Sequence, residues 1–293
     1  MRESLGDRIF GGCVTAMMAV VLLVVMYPLF FVVIASLSDP NLVNTGQVWL
    51  WPKGFTLDGY TRVLHTSDIW LGYRNTIFYT IFGTMINLLI TLPCAYALSR
   101  KDLVGRNVFM GLLVVTMFFS GGIIPTFLIV KDLGLLNTVW AVLLPSAASV
   151  FNIIIARTFF ISNIPRELED AANIDGCDNA MLFVRIVLPL SAPIIAVMAL
   201  FYGVAHWNNY FNAMIYLKDR NIYPLQLFLR EILIINQMTE SASGSTEAQA
   251  AQVRISEIVK YAVIIVSTLP VIVLYPFLQR YFVQGVMVGS IKG

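Results

Sequence analysis

Few side chains in this 293-residue sequence are able to do chemistry, and most of those stand alone. His65 and His206 have no Cys, Asp or Glu at ligand spacing, so no metal site is expected. Cys13, Cys94 and Cys177 show no spacing for zinc or pairing and are expected to be free thiols. No GxxxxGK[ST], HExxH or GxSxG occurs, and the apolar runs hold no converging ionisable groups of the kind a membrane-embedded enzyme needs. The chemistry that remains is recognition, and two stretches can supply it. Residues 164–193, IPRELEDAANIDGCDNAMLFVRIVLPLSAP, concentrate Arg166, Glu167, Glu169, Asp170, Asp175, Asp178 and Arg185. Residues 206–217, HWNNYFNAMIYL, set His206, Trp207, Asn208, Asn209, Tyr210 and Asn212 close together. Amides can satisfy hydroxyl groups and aromatic faces can stack on C–H surfaces, which would suit the path of a sugar. An aromatic belt with hydrogen-bonded asparagines at a membrane interface accounts for the same residues.

The elements that must carry these stretches follow from composition. Hydrophobic residues make up 58%, charged residues 12%, and the mean hydropathy is +0.78, values that exclude a water-soluble chain. A bilayer-spanning helix needs roughly 20 mostly apolar residues, and six such runs are predicted at about 9–36, 75–98, 107–130, 138–161, 186–205 and 261–283. The first apolar run is longer than a cleavable leader core and is expected to stay as an anchor. Lys and Arg are denser in 1–8, 99–107, 157–185 and 280–293 than in the segments opposite, which favours both termini inside. A net charge of +2 implies no nucleic-acid partner.

Polar sequence gathers in three places: about 37–74, 162–185 and 206–260. The first carries Trp49, Trp51 and Tyr60 among turn formers, as an interfacial or external loop would. The third contains LQLFLREILIINQM, residues 225–238, too short to span. Its Leu225, Phe228, Leu229, Ile232 and Leu233 recur in a helical pattern, predicting an amphipathic external helix. Prolines interrupt several spans, Pro28, Pro93, Pro125, Pro145, Pro189, Pro193, Pro270 and Pro276 among them, and bent helices are expected there.

The charged island cannot enter the hydrocarbon, since each charge costs about 2.5 to 3.5 kcal/mol at the bilayer centre. Asn163 and Pro165 suit a helix start, Glu167, Glu169 and Asp170 suit the positive end of its dipole, and Gly176 supplies a stop. The expected unit is helix, glycine turn, helix. Leu168, Ala171, Ala172 and Asp175 recur at i, i+3, i+4, i+7 and predict one face for docking, with two alanines allowing close approach.

Glu167, Leu168, Asp170, Ala171, Ala172, Ile174, Asp175, Gly176, Phe183, Ile186, Leu188, Pro189 and Pro193 resemble the EAA loop of bacterial ABC importer permeases, with a strong match to the carbohydrate branch. Asp170 stands where that family usually has Glu, one methylene longer, and Cys177 where Ala is common. Residues 75–101, 120–145 and 275–293 are similar to the core helices and tail of the maltose-importer (MalG-like) type. The SGGIIPT and LGLLNT wording resembles a subgroup that imports oligosaccharides from plant or algal polysaccharides, alginate among them.

The resemblance implies an all-α, polytopic fold of the type I importer permease (MetI-like) kind, one domain over 1–293. Its first helix, 9–36, would be peripheral and its core would cover about 70–283, with a coupling loop at 162–185 and an external loop at 206–260. It implies that Glu167, Leu168, Asp170, Ala171, Ala172, Asp175 and Gly176 meet an ATP-hydrolysing subunit, and that Lys292 and Gly293 in the tail reach the same interface. The implied partners are a homologous second permease chain, a dimer of ATP-binding subunits, an extracytoplasmic solute-binding protein and the lipid bilayer. The chain itself would bind no cofactor, ATP and Mg being used by the ATPase. The implied location is the bacterial inner membrane, with both termini cytoplasmic and a carbohydrate carried by alternating access. A permease for peptide or amino acid is the alternative, because the coupling loop alone does not define cargo.

Overall fold

The computed structural model describes residues 5–241, 259–273 and 276, and among these no strand occurs. In chain order the helices are α1 (Leu5–Ser36), α2 (Pro40–Asn44), α3 (Asp58–His65), α4 (Ser67–Ser99), α5 (Arg106–Phe118), α6 (Ile123–Asp132), α7 (Val139–Leu143), α8 (Val150–Asn163), α9 (Arg166–Ile174), α10 (Asn179–Leu182), α11 (Leu188–Leu190), α12 (Ala192–Trp207), α13 (Phe211–Tyr216), α14 (Leu225–Ser241) and α15 (Val259–Val273). The residues group into two units: 1–67 with 229–269, and 68–228 with 270–293.

Within the first unit, α1 is apolar on all sides and its side chains are largely exposed, the condition of a helix bathed in lipid. After Ser36 the chain is held by local bonds rather than by a large core. Asp39 caps α2 by accepting from the Asn41 amide at 2.8 Å, and Ser36 Oγ and the Tyr60 hydroxyl lie 2.6 Å apart. Ile34, Ala35, Val43 and Val48 pack with Phe31, Leu42 and Tyr261. Trp49 and Trp51 remain exposed on the connecting loop.

The second unit carries the site. Among the described residues, two continuous helices, α1 and α4, are long and apolar enough to cross a bilayer, and three helix pairs bent at a short break meet the same length and composition together. Three of the six runs predicted as single spans are therefore broken. Residues 107–130 become α5 and α6, which meet at 111°. Glycines 121 and 122 carry no side chain to hold a helix, Gly122 takes φ +87°, and Ser120 Oγ accepts its amide at 3.2 Å. At 1.5 Å per residue, neither α5 nor α6 reaches across roughly 30 Å of hydrocarbon. In residues 138–161, α7 runs into a 3-10 turn, Leu144–Ser146, that contains Pro145, and the chain then bends by 51° before α8. The fifth run, predicted at 186–205, is entered from α10, the second helix of the charged island. It passes through a π turn at Phe183–Val187 and turns by 82° at Ser191, just before Pro193. The sixth is described only as α15, 15 residues from Val259, and the remainder of the run predicted to 283 lies outside the described residues apart from Pro276.

The core of this unit lies where the second half of α4 meets α8, α9 and α12. Leu92, Ala95, Tyr96, Ile153, Phe160, Ala172, Leu182, Val187, Met198 and Tyr202 are buried against each other. Thr91 Oγ1 and the Tyr202 hydroxyl, 2.7 Å apart, satisfy each other inside it.

Candidate functional site

The charged island folds as the sequence demands. α9 begins directly after Pro165, carries Glu167 and Glu169 in its first turn, and ends where Gly176 takes φ +74°. The Cys177 amide reaches back to the Ala172 carbonyl at 2.9 Å, closing the helix with the bond that a left-handed glycine permits. Asp178 then caps α10 by accepting from the Met181 amide at 2.6 Å. The helix, glycine turn and second helix stand as expected.

The docking face does not. Leu168, Ala171, Ala172 and Asp175 share a spacing, but Ala172 is 5% exposed and packs into the chain's own core, with Leu168 half-buried beside it. Among the described side chains, Glu167, Asp170, Ala171 and Ile174 of α9 and Asp175 just after it are exposed, Ile174 to 86%. Ile174, absent from the expected face, is the main apolar element among them. The half-buried Glu169 turns back toward α4, where the Tyr96 hydroxyl donates to its Oε1 at 3.2 Å. Arg100 donates to that same hydroxyl at 3.2 Å and grips Asp102 through two bonds at 2.8 and 2.7 Å. The Asp102 bonds push the Arg100 guanidinium above its ordinary range, so it stays charged. A cavity of about 380 Å³ opens beside this group, with Arg100, Lys101, Phe160, Pro165 and Glu169 in its wall. Lys292 and Gly293 lie outside the described residues.

The second cluster is knitted rather than open. His206 is 4% exposed and its Nε2 donates to Asn87 Oδ1 at 2.7 Å; that direction follows because Asn87 Nδ2 donates to the Ser146 carbonyl at 2.6 Å. Asn212 Nδ2 reaches Ser146 Oγ at 3.2 Å, and Asn209 Oδ1 accepts the Asn212 amide at 3.3 Å. The break between α7 and α8 is thereby tied to α4, α12 and α13. A Cβ on Gly83 would come within 2.5 Å of the His206 ring, so the imidazole needs that glycine. Asn208 and Tyr210 are exposed, although Asn208 also bonds back to the Val204 carbonyl at 2.9 Å. Trp207 is buried and lines a cavity of about 590 Å³ with Thr80, Met85, Leu88, Leu200 and Gly203. Its wall is apolar, and the hydroxyls of Thr80 and Thr84 are buried there without a partner. A sugar, which needs several polar contacts, is poorly matched to it. Among the described residues, no three His, Cys, Asp or Glu side chains gather to hold a metal.

A third arrangement had no signal in the sequence. Asn75 Nδ2 donates to the carbonyls of Asn221 and Tyr223 at 2.8 and 2.9 Å, Thr76 Oγ1 accepts the Leu225 amide at 2.8 Å, and the Tyr79 hydroxyl donates to the Ile222 carbonyl at 2.8 Å. Arg220 pairs with Asp68 at 2.8 Å. These bonds hold the segment that launches α14 along the first turns of α4. The helix predicted at 225–238 is there, with Leu225, Phe228 and Leu229 buried and Ile232 and Leu233 half-buried. Residues 242–258, beyond this helix, lie outside the described residues.

Residues 69–288 match the sequence profile of the family described as binding-protein-dependent transport system inner membrane component. The polygalacturonan/rhamnogalacturonan transport system permease protein YtcP of Bacillus subtilis (strain 168) is 41% identical, covering 98% of this chain and 99% of its own. Protein LplC of the same organism is 40% identical over 100% of this chain and 98% of its own. The arabinooligosaccharides transport system permease protein AraQ of Halalkalibacterium halodurans is 28% identical, with 94% of each chain covered. A crystal structure of a bacterial ABC transporter involved in the import of the acidic polysaccharide alginate contains a chain that superposes with a TM-score of 0.85. That chain is 35% identical, and the match covers 96% of this chain and 99% of that one.

Proposed function

The chain belongs to the family of binding-protein-dependent transport system inner membrane components, and from that membership we propose that it is the permease subunit of an ATP-driven importer carrying a uronate-bearing oligosaccharide. It is an inner-membrane protein of the MetI-like fold. Carbohydrate, rather than peptide or amino acid, is supported by relatives named for polygalacturonan/rhamnogalacturonan and arabinooligosaccharides and by the alginate importer. Two of these, the pectic and the alginate systems, handle acidic polymers, which supports the narrower cargo class.

The observation that carries the reading is the outward face of α9. A large apolar side chain, Ile174, stands almost fully exposed on a nine-residue helix and is flanked by Glu167, Asp170 and Asp175. An apolar knob ringed by carboxylates suits a hydrophobic groove with a basic rim on a partner. That partner is one subunit of an ATPase dimer, which uses ATP and Mg. This chain supplies the lever. With α9 in the cytoplasm, both termini are cytoplasmic, and Lys292 and Gly293 of the tail form a second contact with the ATPase. A homologous permease completes the pathway and an extracytoplasmic solute-binding protein delivers cargo to it. At the far end of α12, Asn208 and Tyr210 offer polar and aromatic surface to the sugar. His206, Trp207, Asn209 and Asn212 hold that end in shape.

The test is to purify the chain from native membranes in mild detergent and identify the retained proteins by mass spectrometry. The recovered assembly is then reconstituted and offered oligogalacturonate, alginate oligomers, neutral arabino-oligosaccharide and tripeptide. Retention of an ATPase and a second permease, with uptake of a uronate oligomer, is expected. A stable chain recovered alone would overturn the importer reading, and uptake of tripeptide alone would overturn the cargo.

A further inference from the structure

We propose that Tyr96 and Glu169 form the joint through which movement of α9 passes into α4, and that Glu169 is a positioning residue for coupling rather than a docking contact. The inference rests on α9 being the ATPase-docking helix.

Of the four carboxylates at Glu167, Glu169, Asp170 and Asp175, three are exposed and Glu169 is half-buried against α4. Its partner is a buried phenol, 5% exposed, within the last turn of that helix. The hydroxyl is used in both senses. It accepts from the charged Arg100 and donates to the charged Glu169, so polarisation from one bond strengthens the other. The ring is equally engaged, stacked on Phe183 with centroids 5.2 Å apart and meeting Phe160 edge-on at 5.7 Å. One side chain therefore touches α8, α9 and the π turn that leads into α12, while belonging to α4.

A cavity of about 380 Å³ between Ser99–Lys101 and Phe160–Pro165, with Glu169 in its wall, leaves the packing open beside this bond. Ala172 of α9 lies in the core that also holds Leu92, Ala95, Tyr96 and Leu98 of α4, so apolar packing accompanies the hydrogen bond, and the bond supplies the directional contact. The hydrogen bond, already 3.2 Å long, is lost if α9 shifts by about an ångström and α4 does not follow. A joint of this kind transmits displacement without adding docking surface.

The experiment uses the full transporter in nanodiscs with its ATPase, solute-binding protein and sugar. Tyr96→Phe keeps the ring and removes the hydroxyl; Glu169→Ala removes the acceptor; Glu169→Gln keeps an acceptor oxygen. The first two should retain the ATPase at wild-type stoichiometry and hydrolyse ATP at the basal rate. Their sugar imported per ATP should fall about fivefold, the scale of one lost bond in a coupled network. Glu169→Gln should restore most of the loss, and the double variant Tyr96→Phe with Glu169→Ala should be no worse than either single one. Full import per ATP in Tyr96→Phe, additive losses in the double variant, or weakened ATPase retention in Glu169→Ala would each overturn the joint. Failure of the wild-type chain to retain an ATPase would instead overturn the docking role of α9.

Discussion

The two ends of α4 are fastened in different ways. Its first turns are clamped to the backbone of 221–225: Asn75, Thr76 and Tyr79 bond to carbonyls and an amide there, and at Gly72 a Cβ would have no room against Leu225 and Phe228. Its last turn meets α9 through the hydrogen bond from the Tyr96 hydroxyl to Glu169 and through the apolar core that holds Ala172, with a cavity alongside. Backbone groups cannot swing away from their partners, whereas side chains can, so the first fastening sets a position and the second allows a movement. A helix clamped at one end and jointed at the other pivots. The effects of mutations on the stability of the isolated chain should rank accordingly.

Gly72→Val should be the most damaging. A Cβ at this position would stand 2.8 Å from the Leu225 Cα and 2.9 Å from the Phe228 ring, and the Leu225 backbone cannot move without breaking its bond to Thr76. Overpacking of this kind costs typically about 1 to 3 kcal/mol, and here at least the upper value. A drop in the detergent melting temperature, with new protease cleavage near 218–228, is the expected readout. A variant as stable as the parent would show that the clamp is slack.

Asn75→Ala tests the same end without a clash. The carbonyls of Asn221 and Tyr223 lose their donor, and a partly buried carbonyl left unpaired costs about 1 to 3 kcal/mol. A loss of about 2 kcal/mol in reversible unfolding is expected, with ATPase retention unchanged. Equal losses in Asn75→Ala and Glu169→Ala would erase the contrast between the two ends.

How far these ends were legible differs for the same physical reason. The clamp joins residues some 145 positions apart, Asn75 to Asn221 and Thr76 to Leu225, and no local window connects them; hydropathy therefore began the second span at 75 although the helix starts at Ser67. The joint lies inside the most readable segment of the chain. Carboxylates that cannot enter lipid placed α9, and Gly176 ended it. Periodicity tells which side chains share a face, however, and not which face the chain's own core has already taken. Ala172 was thus assigned to the partner and Glu169 and Ile174 were passed over. Bends near Pro145 and Pro193 were expected from the prolines, but the 111° break in 107–130 escaped because hydropathy averages over Gly121 and Gly122, whose missing side chains are what permits it.

At the jointed end, Glu169→Ala should cost the isolated chain about 1 kcal/mol or less. The bond it removes is long, the carboxylate is only half-buried, and water entering the adjoining cavity can satisfy the Tyr96 hydroxyl. Thermal unfolding monitored beside Asn75→Ala gives the comparison directly. A cost as large as that of the clamp would mean that α9 is held rigidly.

Ile174→Ser should leave the stability of the isolated chain within about 0.5 kcal/mol of the parent, since a side chain 86% exposed loses almost nothing on truncation. The same change should weaken retention of the ATPase about tenfold or more, because the apolar centre of an interface carries much of its energy while the carboxylate rim mainly steers the encounter. Salt separates the two contributions. Raising ionic strength should slow binding to the parent chain by screening Glu167, Asp170 and Asp175, while the deficit of Ile174→Ser should persist at every salt concentration. If the deficit disappears at high salt, the carboxylates rather than Ile174 anchor α9. The movement that reaches the joint at Tyr96 would then enter through a charged contact loose enough to slip before α4 responds.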